Sequence, residues 1–102
     1  MKIVEASSFG ARLRGLLGTQ AGDIDFDLLH LKPCKSIHTF GMNYALDVAF
    51  LDSKGRVIKV CRNLPPCRLC SAPRRTASVL ERPAQPEQRR WLFPGQSVFK
   101  EK

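Results

Sequence analysis

Residues 45–51 are apolar at every position but Asp47 and read as a buried strand. In an extended chain Leu46, Val48 and Phe50 share one face, while Ala45, Asp47, Ala49 and Leu51 share the other. Asp52-Ser53-Lys54-Gly55 is a turn signal, and residues 56–62 return as a partner strand, so this stretch predicts a hairpin. Ile3 and Val4 suit a first strand over residues 1–6. Ser7 and Ser8 then offer N-cap oxygens ahead of Phe9, Leu13, Leu16 and Leu17, whose i, i+4, i+7, i+8 spacing makes one helical stripe. Gly15 weakens that helix and Gly18 ends it. Further strands are expected over residues 26–31, closed by Pro33, and over 76–80. Pro65 and Pro66 make residues 64–70 an edge or an extended loop rather than a central strand. Residues 83–90 are polar and Pro-punctuated, with a single helical turn expected after Pro86; Pro94-Gly95 then turns into a last strand over 97–100. Many short strands with one N-terminal helix predict a mainly β (α+β) fold, a small antiparallel barrel or sandwich.

Composition narrows the class. A chain of 102 residues, 43% of them hydrophobic, is expected to form a single domain with a modest core. No apolar run reaches the ~18 residues that a membrane-spanning helix needs, and the first residues lack the apolar stretch of a signal peptide. These features predict a cytoplasmic protein whose four cysteines, Cys34, Cys61, Cys67 and Cys70, stay as thiols. The formal net charge of +8 is concentrated in the second half. Residues 1–53 hold five Lys/Arg and six acids, whereas residues 54–102 hold twelve Lys/Arg and three acids. Such asymmetry raises the prospect of an anionic partner, although a solvated basic face explains it equally simply.

The candidate chemistry centres on residues 33–52, PCKSIHTFGMNYALDVAFLD. Asp47 interrupts an apolar strand, and a buried carboxylate is costly unless it is paired or hydrogen-bonded. Its expected partners are His38, Arg14 or backbone N–H groups of the preceding loop. Asp47 then either pins that loop to the sheet or orients His38 as a general base or ligand anchor. Cys34 precedes His38 by four residues, but no flanking motif makes it a nucleophile. Cys61-x5-Cys67-x2-Cys70 contains a C-x2-C pair and makes these three cysteines weak zinc candidates, with Cys34 or His38 as a fourth ligand. The basic half offers Arg62, Arg68, Arg74, Arg75, Arg82, Arg89 and Arg90 near Trp91 and Phe93, an arginine–aromatic mixture that single-stranded nucleic-acid binders use. There is no RNP-type strand motif, Gly-rich phosphate loop, HExxH or GxSxG.

The succession Arg14-Gly15-Leu16-Leu17, PCKSIHTFGMNYALDVAFLDSKGRVIKV, Pro65-Pro66 and Val79-Leu80-Glu81 resembles the prokaryotic family catalogued as domain of unknown function 192. The resemblance covers nearly the whole chain. It rests on Arg14 and Gly15, then His38, Thr39, Phe40, Gly41 and Met42, then Leu46, Asp47, Phe50, Leu51 and Asp52, and finally Leu80 and Glu81. It implies a compact, mostly β domain and no established activity. The chain departs from the family at Arg82-Pro83-Ala84-Gln85, where the family has a short segment ending in Gly. Cys61, Cys67 and Cys70 are also outside the family pattern.

Three functions follow. The first is a non-enzymatic binding module for a small molecule or peptide, its pocket built from Arg14, His38, Thr39, Phe40, Met42 and Asp47. The second is an anion or nucleic-acid binder using Arg62, Arg68, Arg74, Arg75, Arg89 and Arg90, with salt-dependent affinity. The third is a hydrolase-like enzyme using His38 and Asp47. No cofactor is expected beyond the weak zinc candidates.

Overall fold

The computed structural model describes residues 2–6, 26–33, 37–38, 42–86 and 91–99. Among these residues there are seven strands: β1 (Ile3–Ala6), β2 (Leu28–Leu31), β3 (Ile37–His38), β4 (Leu46–Leu51), β5 (Val57–Leu64), β6 (Leu69–Cys70) and β7 (Ser78–Pro83). Five of them form one mixed sheet in the order β1-β2-β7-β4-β5, and β3 pairs with β6 in a separate two-stranded sheet. The large sheet has β1 and β5 as its two edges, so it is open and does not close into the expected barrel.

β1 and β2 run parallel, and every other pairing is antiparallel. A parallel pair needs a crossover between its strands. The predicted helix over residues 9–17 falls in that crossover and lies outside the described residues; no helix occurs among those that are described. The β4–β5 hairpin forms where the alternation places it. Asp52 Oδ1 accepts the N–H groups of Lys54 (2.9 Å) and Arg56 (3.0 Å), and Gly55 takes the left-handed φ of 78° that the turn requires. These two backbone N–H groups hold the exposed Asp52 carboxyl below its ordinary pKa, that of Arg56 contributing most.

The central strands are buried on both faces. Leu29, Leu31, Leu46, Val48, Phe50 and Val79 make the core on one face, where Met42, Tyr44, Cys70 and Ala72 cover them. Leu28, Ala49, Leu51, Val57 and Leu80 make the core on the other, beneath Trp91, Leu92 and Val98. We call these the first and second faces. β4, with every residue buried, is the buried strand expected over residues 45–51.

The expected strand over 97–100 is reduced to an isolated bridge between Arg56 and Ser97. Backbone bonds from Gly95 N to Val57 O, Val57 N to Gln96 O and Val98 N to Gly55 O still lay residues 95–98 against the start of edge strand β5. The strand expected over 76–80 begins two residues later and runs on to Pro83, because β7 pairs with β2 on one side and β4 on the other.

Candidate functional site

The β4–β5 register shifts between Leu46 and Val48, and Asp47 sits at that irregularity. Across from it Asn63 adopts φ 54°, a left-handed conformation that asparagine tolerates better than most residues. The bend turns the Asn63 N–H onto Asp47 Oδ1 at 2.9 Å. Arg62 Nε lies 3.2 Å from the same oxygen. Asp47 Oδ2 accepts Arg82 Nε at 2.9 Å and the Gln85 N–H at 3.2 Å. Asp47 is fully buried, and Arg82 is only 8% exposed.

Burial alone would raise the Asp47 pKa. The Asn63 N–H, Arg82, the Gln85 N–H and Arg62, in that order, outweigh it and hold the carboxyl below its ordinary range. Trp91 closes the cluster, its ring centroid 4.5 Å from the Arg82 guanidinium and 5.9 Å from that of Arg62. Arg62 also donates from Nη2 to the carbonyls of Gln85 and Pro86, at 3.3 Å each. The Arg82-Pro83-Ala84-Gln85 departure from the family pattern is thus shaped by Asp47 and by the Ala84 N–H, which donates to Ala45 O.

The partners that Asp47 has among the described residues do not include His38. The three hydrogen-bond donors to Asp47 and its further ion-pair partner Arg62 come from β5, β7 and the residues just after β7. By strand alternation its carboxylate lies on the second face, with Ala49 and Leu51. His38 lies on β3, paired with Leu69 of β6, and Cys70 of β6 packs into the first-face core. A carboxylate whose two oxygens already accept two guanidinium groups and two amides has little left with which to orient an imidazole.

The cysteine expectation is corrected. Cys61 and Cys70 form a disulfide, which ties β6, and with it β3, onto β5 over the first face. Their sulfurs are committed to each other and are not thiolate ligands. Cys67 is exposed and free. Among the described residues no group of three His, Cys, Asp or Glu side chains could hold a metal ion.

The arginines divide into two sets. Arg62 and Arg82 turn inward to Asp47. Arg68, Arg74 and Arg75 are exposed. Arg14, Thr39, Phe40, Arg89 and Arg90 lie outside the described residues, and so does Cys34.

Sequence reasoning passed over two groups. Glu81 follows Val79 and Leu80 in β7, and alternation puts it on the first face with Val79, opposite Leu29 and Val48. It is 4% exposed, and no donor among the described residues reaches its carboxyl. Burial pushes its pKa up to about 7. His30 interrupts the apolar run of β2 on the second face, and its Nε2 has no hydrogen-bond partner. In both cases the signal was an ionisable residue inside an apolar strand, the same signal that singled out Asp47.

The family model of DUF192, described as an uncharacterized ACR, matches residues 1–99. The chain belongs to DUF192. No curated protein matches it significantly. Two solved structures share the fold of this DUF192 chain. One is a protein of unknown function from Novosphingobium aromaticivorans, 20% identical, with a TM-score of 0.67 over 80% of this chain and 62% of that one. The other, from Sinorhizobium meliloti, carries a provisional description as a transcription regulator; it is 19% identical, with a TM-score of 0.66 over 80% of this chain and 67% of its own. At these identities the likeness is one of fold. The DUF192 chain spans about two thirds of the length of either neighbour. Among its described residues no helix is long and apolar enough to cross a membrane.

Proposed function

We propose that this DUF192 protein is a non-enzymatic binding module whose pocket forms over the first face of the sheet and takes a small molecule or peptide. The observation that carries the reading is Glu81, a buried carboxyl on that face with no donor among the described residues. Native proteins rarely leave such a group unmet, and a ligand is one means of meeting it. Met42 and Tyr44 pack onto the same face, and the disulfide brings the β3–β6 pair there too. Thr39 and Phe40 fall between His38 and Met42 in sequence and belong to the proposed site. A carboxyl poised near neutrality either donates or accepts a hydrogen bond, so the ligand presents a polar group beside an apolar body.

Commitment of Asp47 to the fold weighs against the hydrolase reading, which needs it to orient His38. The inward turn of Arg62 and Arg82 weakens the nucleic-acid reading and leaves it to Arg68, Arg74 and Arg75, with Arg89 and Arg90. A cytoplasmic location is likewise disfavoured by the Cys61–Cys70 disulfide, since such bonds persist chiefly in oxidising compartments.

The test is a heteronuclear NMR titration with metabolite, peptide and oligonucleotide panels, at low and then high salt. Shifts clustered on His38, Met42, Tyr44 and Glu81 that survive added salt, and that weaken in Glu81→Gln, are expected. Shifts confined to Arg68, Arg74 and Arg75 that vanish in salt would replace this reading with electrostatic anion binding.

A further inference from the structure

A cleft of about 380 Å³ opens on the second face, away from Glu81, where the end of β2, the start of β7 and the β4–β5 turn meet residue 99. That volume suits a small organic ligand. Lys32 enters it from just beyond β2, and Lys54 from the turn. Neither lysine side chain makes an ion pair among the described residues. The acids facing them are unequal. Asp52 is engaged by the N–H groups of Lys54 and Arg56, and also feels the charges of Arg56 and Arg75, so its charge is already countered. Glu5 also lines the cleft, beside His30 in the parallel β1–β2 register.

His30 adds no positive charge, because burial lowers its pKa; Lys32 acts in the same direction and Glu5 against it. The cleft is therefore lined by two lysines that make no ion pair among the described residues.

The apolar wall is Phe99, still 37% exposed. Its ring centroid lies 4.8 Å from that of His30, at a tilt of 36°. Gly55 makes this placement possible: a Cβ there would come within 3.1 Å of the Phe99 Cβ, and the backbone φ of 78° disfavours any side chain. His30 itself is 8% exposed, and its orphaned Nε2 leaves the wall one hydrogen bond short.

We propose that this cleft is a second ligand site, specific for a small aromatic anion. The ring packs against Phe99 and the carboxylate or phosphate is held between Lys32 and Lys54, with the Ser53 and Ser78 hydroxyls within the same cleft. Ammonium–anion pairing supplies strength, and the aromatic wall discriminates in favour of a ring. The site does not depend on the Glu81 pocket, from which the sheet separates it.

The test uses benzoate and phenyl phosphate as probes, with acetate and inorganic phosphate as ringless controls, at constant ionic strength. Amide shifts of the ¹⁵N-labelled protein report binding. Saturable shifts at Ser53, Lys54, Gly55, Ala77 and Ser78 are expected, with the aromatic anions binding about tenfold more tightly than their ringless counterparts. Lys32→Gln and Lys54→Gln should each weaken binding by about tenfold. Phe99→Leu should remove the preference for a ring, while Glu81→Gln should leave the affinity unchanged. Equal affinity for phosphate and phenyl phosphate would overturn the proposal, as would unsaturable shifts or insensitivity to both lysine substitutions. The amide spectrum of each variant shows that it is folded, so a loss of binding is read on an intact protein.

Discussion

Asp47 and Glu81 are buried carboxyls one residue out of step on neighbouring strands, and they face opposite sides of one sheet. Their surroundings push them in opposite directions. Asp47 has four partners and stays ionised; Glu81 has none among the described residues and is raised to about 7. Asp47→Asn would leave the buried Arg82 without its counter-charge. Removing one partner of a buried pair costs about 3–5 kcal/mol, and urea unfolding at pH 7 should show a loss in that range. A loss below about 1 kcal/mol would mean that the cluster is not a stabilising clasp.

Linkage fixes the pH behaviour. The folded pKa of Glu81 lies above its unfolded value of 4.5, so the folded state binds the extra proton between these two values. Its contribution is fully present below the unfolded pKa and is lost as pH rises toward about 7. That pKa difference corresponds to about 3 kcal/mol. Asp47 works in the reverse sense, holding stability above its ordinary pKa of 3.8 and losing it as pH falls further. Glu81→Gln should therefore stabilise the protein at pH 8 relative to wild type and change little at pH 4. An equal effect at both pH values would show that Glu81 does not titrate as its burial implies.

At the scale of elements, strands with strict alternation or firm turn chemistry were readable. β4, its hairpin partner and the Asp52–Gly55 turn fall where the residues place them, and β1 and β2 lie within the stretches expected. What sequence could not supply was the assignment of partners. Asp47 was legible as a buried charge needing a counter-charge, but its arginines lie 15 and 35 residues away and meet it only through the order of the sheet. The short β3–β6 pair was invisible because two residues carry no periodicity; its position over the first face depends on the Cys61–Cys70 link. A cross-link closing a loop this short contributes about 2.5 kcal/mol in the chain-entropy account. The Cys61→Ser/Cys70→Ser variant should lose about that much stability in urea unfolding, and amide shifts at Ile37 and His38 should move with it. An unchanged β3 environment would show that the small sheet holds its place without the disulfide.

For the whole molecule, composition and patterning identified a mainly β protein but not its closure. Counting strands suits an open sheet and a barrel alike, and the distinction lies in whether the edges meet. Here β1 and β5 remain apart, and residues 95–98 occupy part of the β5 edge instead. The large sheet is buried on both sides, which explains why its ionisable interruptions, His30, Asp47 and Glu81, each became a chemical feature rather than a solvated position.

The strand order has a consequence for the birth of the chain. Among the strands of the described residues β7 comes last in sequence, yet it lies between β2 and β4 and joins the β1–β2 pair to the β4–β5 hairpin. Until it has been synthesised, β1–β2 and the β4–β5 hairpin are separate fragments with uncovered edges. While the chain is being made these pieces present their apolar strands to neighbours and chaperones. The sheet is joined, and its second face covered, only once the residues from Ser78 onward have arrived.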